Sequence, residues 1–63
     1  MANPIYEMYR DLEETISSSA IDAEKFYSGN NSAGTRVRKA MQEVKTLAQS
    51  IRKEVQEQKN SGI

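Results

Sequence analysis

Apolar residues recur every three or four positions along the first half of the chain. This stripe consists of Ile5, Tyr9, Leu12, Ile16, Ala23 and Phe26, with Ser19 in its one gap. The spacing is typical of one face of an amphipathic helix. Asn3 can cap a helix, and Pro4 suits the first helical position, where no backbone N–H is needed. The sequence therefore predicts a first helix at about residues 4–27.

The second half repeats the pattern at alternating spacings of four and three. Its stripe consists of Ala33, Val37, Ala40, Val44, Leu47 and Ile51, with an apolar centre near Val37, Val44, Ala48 and Val55. Between the stripes, Gly29 can take the left-handed conformation that ends a helix, and Asn31 or Ser32 can cap the next one. The sequence predicts a turn at 28–31 and a second helix at about 32–58.

Two helices of roughly 35 to 40 Å joined by a short turn predict one all-α domain over residues 1–63, folded as an antiparallel hairpin. With 37% apolar residues in 63, a lone hairpin leaves the outer part of each stripe in water. Two copies packed by their apolar stripes would form a four-helix bundle, with Ala40 and Ala48 allowing close approach and Leu47 and Ile51 filling the core. The alternative is that the hairpin packs on a different protein.

The residue inventory excludes most catalytic chemistry. Cysteine and histidine are absent, which removes disulfides, thiolate chemistry, zinc sites and the usual proton shuttle. The serines lack an activating base, and the acids lack the loop spacing of a calcium site. We therefore expect no catalytic residue, cofactor, metal or small-molecule substrate. No apolar run is long enough for a membrane span and no secretory signal is evident, so a cytoplasmic location is expected.

A net charge of zero conceals an uneven distribution. Residues 1–28 carry six acids and two bases, a net charge of −4, whereas residues 29–63 carry seven bases and three acids, a net charge of +4. Either the two halves neutralise each other in the fold or the basic half faces a polyanion.

Four bases lie seven residues apart along one flank of the second helix. They are Arg38, Lys45, Arg52 and Lys59, and we call them the basic row. Lys39 and Lys53 lie further round on the solvent side, and Arg36 lies on the opposite flank. Cations about 10 Å apart on a rigid helix can meet phosphates without reading bases. The alternative is that these charges pair with acids across a helix interface.

The four aromatic residues all belong to the first helix, away from the basic residues. They are Tyr6, Tyr9, Phe26 and Tyr27. Stacking on single-stranded nucleic acid would require rings interleaved with cations. We therefore expect core and interface positions for them, with Tyr6 at the edge of the core.

The segment from Gly29 to Ala40, GNNSAGTRVRKA, followed by Leu47-Ala48 and by Ile51 to Glu54, resembles the bacterial linker-histone-like nucleoid proteins. The likeness covers about half of the chain. Position by position, it includes the turn Gly29-Asn30 and the small pair Ala33-Gly34. It also includes a basic set, namely Arg36, Arg38, Lys39, Arg52 and Lys53.

The resemblance implies a short helical hairpin that binds and compacts chromosomal double-stranded DNA in the nucleoid. The sequence departs from the family where Asn31 replaces a usual Lys, and in lacking the Lys/Ala-rich tail of some members. We therefore expect weak, salt-sensitive and sequence-tolerant binding through Arg36, Lys39, Lys53 and the basic row. The alternative is a self-associating or partner-binding helical module that does not bind DNA directly.

Overall fold

The fold consists of two long helices joined by a short turn. A computed structural model describes residues 3–61, in which α1 spans Pro4–Tyr27 and α2 spans Asn31–Asn60. No strand occurs in this range. The all-α class and the two helices predicted from the sequence are confirmed. The second helix begins one residue earlier and ends two residues later than its predicted bounds.

Helix α1 begins where the sequence placed its capping signal. The Oδ1 atom of Asn3 accepts a hydrogen bond of 2.9 Å from the backbone N–H of Ile5, and Pro4 occupies the first helical position. This side-chain oxygen satisfies one of the N–H groups that the first turn leaves without a partner. The predicted cap at Asn3 is confirmed.

The turn depends on Gly29, which has a φ angle of +106°. L-residues avoid this region, so the expectation that Gly29 ends α1 is confirmed. The cap of α2 is Asn30, whose Oδ1 accepts a hydrogen bond of 3.2 Å from the Ala33 N–H. The prediction of Asn31 or Ser32 as the cap is wrong, because both residues are already helical.

Replacing Gly29 by Ala is expected to destabilise the hairpin. No atom lies within 4 Å of a Cβ built at this position, so the cost is conformational rather than steric. It should be about 1 kcal/mol in the free energy of unfolding, measured by urea denaturation. The D-alanine counterpart, made by chemical synthesis, is the matched control, because it prefers positive φ and should be at least as stable as the natural chain. Equal loss in both stereoisomers would contradict the argument from φ.

The helices run antiparallel, and side-chain contacts join them near both ends of the hairpin. At the open end, Asn3 and Gln58 exchange two amide hydrogen bonds of 3.0 Å each. Near the turn, the Nε atom of Arg36 lies 2.9 Å from the Oδ1 atom of Asp22. The resulting rod measures 51 × 18 × 11 Å.

The seam between the helices is formed by the residues whose exposure is reduced. Within residues 3–61 only Ala33 and Ser19 are buried, at 0% and 9% exposure. The half-buried seam residues of α1 are Ile5, Met8, Leu12, Thr15 and Asp22, and those of α2 are Gly34, Val37, Ala40, Val44, Leu47, Ala48, Ile51, Glu54 and Gln58. The packing between the helices is therefore shallow.

The seam does not coincide with the apolar stripes. On α1 it includes Thr15, Ser19 and Asp22, while Ile16 of the predicted stripe is exposed. Ser19 can occupy this position because its hydroxyl donates a 2.9 Å hydrogen bond to the carbonyl of Ile16 within the same helix. On α2, the predicted apolar centre belongs to the seam except at Val55, which is 39% exposed. Each stripe is wider than the line along which two helices touch.

Candidate nucleic-acid interface

The basic row follows the side of α2 in regular steps. Its four members are all exposed. Seven residues correspond to about 10.5 Å of rise and to a rotation about 20° short of two full turns. The row therefore winds slowly around the helix. Arg38 and Lys45 border a shallow surface depression that also contains Val37 and Met41. The cations therefore stand at the rim of an apolar surface.

The other three predicted cations are not part of the row. Lys39 lines the same depression as Arg38 and Lys45, and Lys53 is exposed on the outer side of the helix, away from the seam. Arg36 lies beside Asp22 in the one ion pair found within residues 3–61. The structure thus brings together four of the seven predicted residues as a row, and it pairs Arg36 with a carboxylate. No local pattern in the sequence indicates this pair, because its members are 14 residues apart.

An apolar face remains uncovered on the side of the hairpin next to the basic row. It consists of Tyr9, Ile16, Phe26, Met41 and Val55, with exposures of 53%, 48%, 53%, 43% and 39%. The ring of Phe26 lies against the start of α2, where a Cβ on Gly34 would stand 2.6 Å from it. Gly34 therefore gives this ring room to lie across the two helices.

The opposite side of the hairpin carries an acidic groove. Its charged lining consists of Asp11, Glu14, Asp22 and Glu43, and Thr15, Ser18 and Ser19 lie between these acids. Like charges repel, so a nucleic acid would be repelled from this side. Within residues 3–61, no three acids lie close enough together to hold a metal ion.

The aromatic residues are more exposed than the sequence suggested. Tyr6 is 70% exposed and Tyr27 is 92% exposed, so the edge-of-core position expected for Tyr6 is wrong within a single chain, and Tyr27 does not belong to the core. Interface positions for them stay a prediction. Tyr9 and Phe26 belong to the apolar face rather than to the seam. The stripe contained more apolar residues than one neighbouring helix can cover, and the aromatic ones were left outside.

No helix in the described part of the chain is long and apolar enough to cross a membrane. Residues 3–61 present three surfaces of different chemistry. They are the basic row, the apolar face beside it and the acidic groove behind it.

Comparison with known families gives one match. A family model described as histone H1-like protein Hc1 matches residues 6–61. The match includes nearly all of both helices and the whole turn, and it agrees with the resemblance drawn from the residues. No curated protein and no solved structure shows a significant match to the chain.

Proposed function

Because the chain belongs to the histone H1-like Hc1 family, we propose that it is a nucleoid-associated protein that binds the phosphate backbone of double-stranded DNA without reading its sequence. The family is a class of non-enzymatic DNA-binding proteins. The proposal places the protein in the bacterial nucleoid, with compaction of the chromosome as its role.

The observation that carries the proposal is the exposed basic row. Its members, together with Lys39 and Lys53, have no ion-pair partner among residues 3–61. Duplex DNA carries a phosphate charge about every 1.7 Å of its axis, so cations about 10 Å apart meet phosphates in many registers. Contacts of this kind give affinity without sequence preference. Arg36 is expected to contribute least, because Asp22 already offsets its charge.

Self-association is the second part of the proposal. The hairpin buries two residues within the described range and leaves the apolar face in water. A homodimer packed as a four-helix bundle would cover this face. It would also present the outward cations Lys39 and Lys53 of both copies, which allows one dimer to contact separate stretches of duplex and so to compact DNA.

The proposal is tested by neutralising two exposed cations. Arg52→Gln with Lys53→Gln should lower the affinity for a random-sequence duplex, measured by fluorescence anisotropy between about 50 and 200 mM salt. Each phosphate contact that the variant loses should reduce the slope of the logarithm of the affinity against the logarithm of the salt concentration by about 0.9. The chain offers a matched control in Arg10→Gln with Lys25→Gln, two exposed cations of α1 outside the candidate interface.

Equal effects of the two double variants would contradict a specific role for α2. No binding by the natural chain at the lower salt concentration would exclude direct DNA binding. Circular dichroism and sedimentation of each variant show whether fold and assembly have been retained.

A second candidate function is a self-associating or partner-binding module without a direct DNA contact. The acidic groove and the net charge of zero favour it, because both weaken the long-range attraction of DNA. This candidate predicts a stable assembly whose anisotropy signal with DNA does not change with protein concentration.

A further inference from the structure

The apolar face has charges of opposite sign along its two long edges. The basic row borders it on α2. On α1 the outer edge carries Glu13 and Glu24, both exposed, and we call them the acidic edge. Helical periodicity places Glu13 next to Tyr9 and Ile16, and it places Glu24 about three turns further along the same outer line of α1, where it also lines a depression with Ile21. A surface with such edges is complementary to a second copy of itself in one orientation only.

Two symmetric arrangements cover the apolar face with a second copy. In the first, the two-fold axis runs along the helices, both turns lie at the same end, and α1 of each copy faces α2 of the other. In the second, the axis runs across the helices, the turns lie at opposite ends, and each helix faces its own counterpart. Neighbouring helices are antiparallel in both arrangements, so helix packing alone does not distinguish them.

Contacts within the chain fix which residues lie at the same height along the rod. Asn3 meets Gln58 at one end and Asp22 meets Arg36 near the other. Residues of α1 and α2 whose numbers add up to about 60 are therefore level. By this rule Glu13 is level with Lys45, and Glu24 is nearly level with Arg38.

An axis along the helices preserves these heights in the second copy. Glu13 then faces the partner's Lys45, and Glu24 faces the partner's Arg38. By symmetry each pair occurs twice. With an axis across the helices, the basic row instead faces the basic row, and the acidic edge faces the acidic edge. Like charges placed opposite each other disfavour that arrangement.

We infer that two copies of the chain dock through the apolar face with their turns at the same end, so that the acidic edge of each copy lies along the basic row of the other. This inference rests on the self-association proposed above and adds its orientation. Arg52 and Lys59 lie beyond the acidic edge, toward the open end of the hairpin. The acidic edge provides no partner for them, and Lys39 and Lys53, which are exposed on the outer side of α2, stay available to phosphates in the dimer.

The orientation is tested by distances between spin labels. The chain contains no cysteine, so a single introduced cysteine carries the only label. Ser28→Cys places one label per chain at the turn. With the turns at the same end, the two labels of a dimer should lie within about 30 Å, because packed helices are about 10 Å apart. With the turns at opposite ends, their separation approaches the 51 Å length of the hairpin.

Ser17→Cys is the matched control, because it places the label near the middle of α1. Its pair distance should be short in either dimer, so it reports assembly independently of orientation. A short distance at both positions supports the inference. A short distance for Ser17→Cys with a long one for Ser28→Cys overturns the orientation and leaves self-association standing. No dipolar coupling at either position, together with a monomer mass by sedimentation, overturns both.

A charge exchange provides a second test. Glu13→Lys should raise the dimer dissociation constant by roughly tenfold, because it replaces two attractive pairs by two repulsive ones. Adding Lys45→Glu should restore it. With the turns at opposite ends, like charges already face each other across the dimer. Each substitution would then only replace one pair of like charges by another, with no change expected in the dissociation constant. Absence of an effect of Glu13→Lys in a sample that remains dimeric would overturn the pairing.

Discussion

The Ile16→Glu variant is expected to dissociate into single chains, with the dimer dissociation constant raised by about 100-fold or more. Ile16 is 48% exposed in the single chain, so the substitution costs the hairpin itself little. In a dimer packed through the apolar face, the new carboxylate would be removed from water, and the one cation at its level, the partner's Lys45, is already opposite Glu13. Because of the two-fold symmetry, each dimer would contain two such carboxylates.

Ile21→Glu is the matched control for this prediction. Ile21 belongs to the same helix and is 60% exposed, but it lies on the side of α1 away from the apolar face. Sedimentation equilibrium should give a dissociation constant within about threefold of the natural value, as for most surface changes. Equal dissociation of the two variants would show that the apolar face is not the contact surface.

The melting temperature of the natural chain and of Ile21→Glu should also rise with protein concentration, since association stabilises the folded state.

Replacing Ala33 by Leu is expected to give the largest loss of stability, about 2 to 3 kcal/mol in the free energy of unfolding. Ala33 is fully buried in the first turn of α2, where the helices come together after Gly29. The larger side chain has no space there, so it must separate the helices or distort the Asn30 cap. For a small domain this is a substantial part of the total stability.

Ser32→Leu controls for the change in apolar surface. Ser32 is exposed and belongs to the same turn of α2, so a leucine there projects into solvent. Urea denaturation should show a change within about 0.5 kcal/mol for this variant. If both leucine variants were equally stable, Ala33 would not be the point of closest approach.

The helix ends were largely predictable because local chemistry determines them. Asn3, Pro4 and Gly29 each do what their residue type favours. The cap of α2 was not predictable in the same way, since Asn30, Asn31 and Ser32 can all cap a helix. Asn30 caps α2 in the structure, and the helix then begins in a phase that turns Ala33 toward α1. The choice among adjacent capping residues therefore depends on how the two helices pack against each other.

The division of each stripe between the seam and the outer face was not predictable from periodicity. Apolar spacing identifies a face about 100° wide but does not indicate which part of it touches the neighbouring helix. A small polar side chain such as Ser19, whose hydroxyl is hydrogen-bonded within its own helix, allows the two helices to approach closely. The seam of α1 therefore includes Thr15 and Asp22 instead of the centre of the apolar stripe. The apolar face is the part of the stripe that this shift left uncovered.

The candidate interface was predictable where it depends on one helix. The spacing of seven residues is a property of α2 alone, so the basic row follows from the sequence. Arg36 belonged to the same predicted set, but its pairing with Asp22 depends on how the two helices meet. The acidic edge became apparent as the counterpart of the basic row only when the helices had been placed side by side.

The paired amides of Asn3 and Gln58 have a consequence for how the helices can slide. A shift of one helical turn, about 5.4 Å, would break this contact at one end and the Arg36–Asp22 contact near the other. The amide pair is uncharged, so salt weakens the ion pair and leaves the amide pair nearly unchanged. Of the two contacts that set the level of one helix against the other, the one at the open end therefore does not weaken with ionic strength, whereas the one near the turn does.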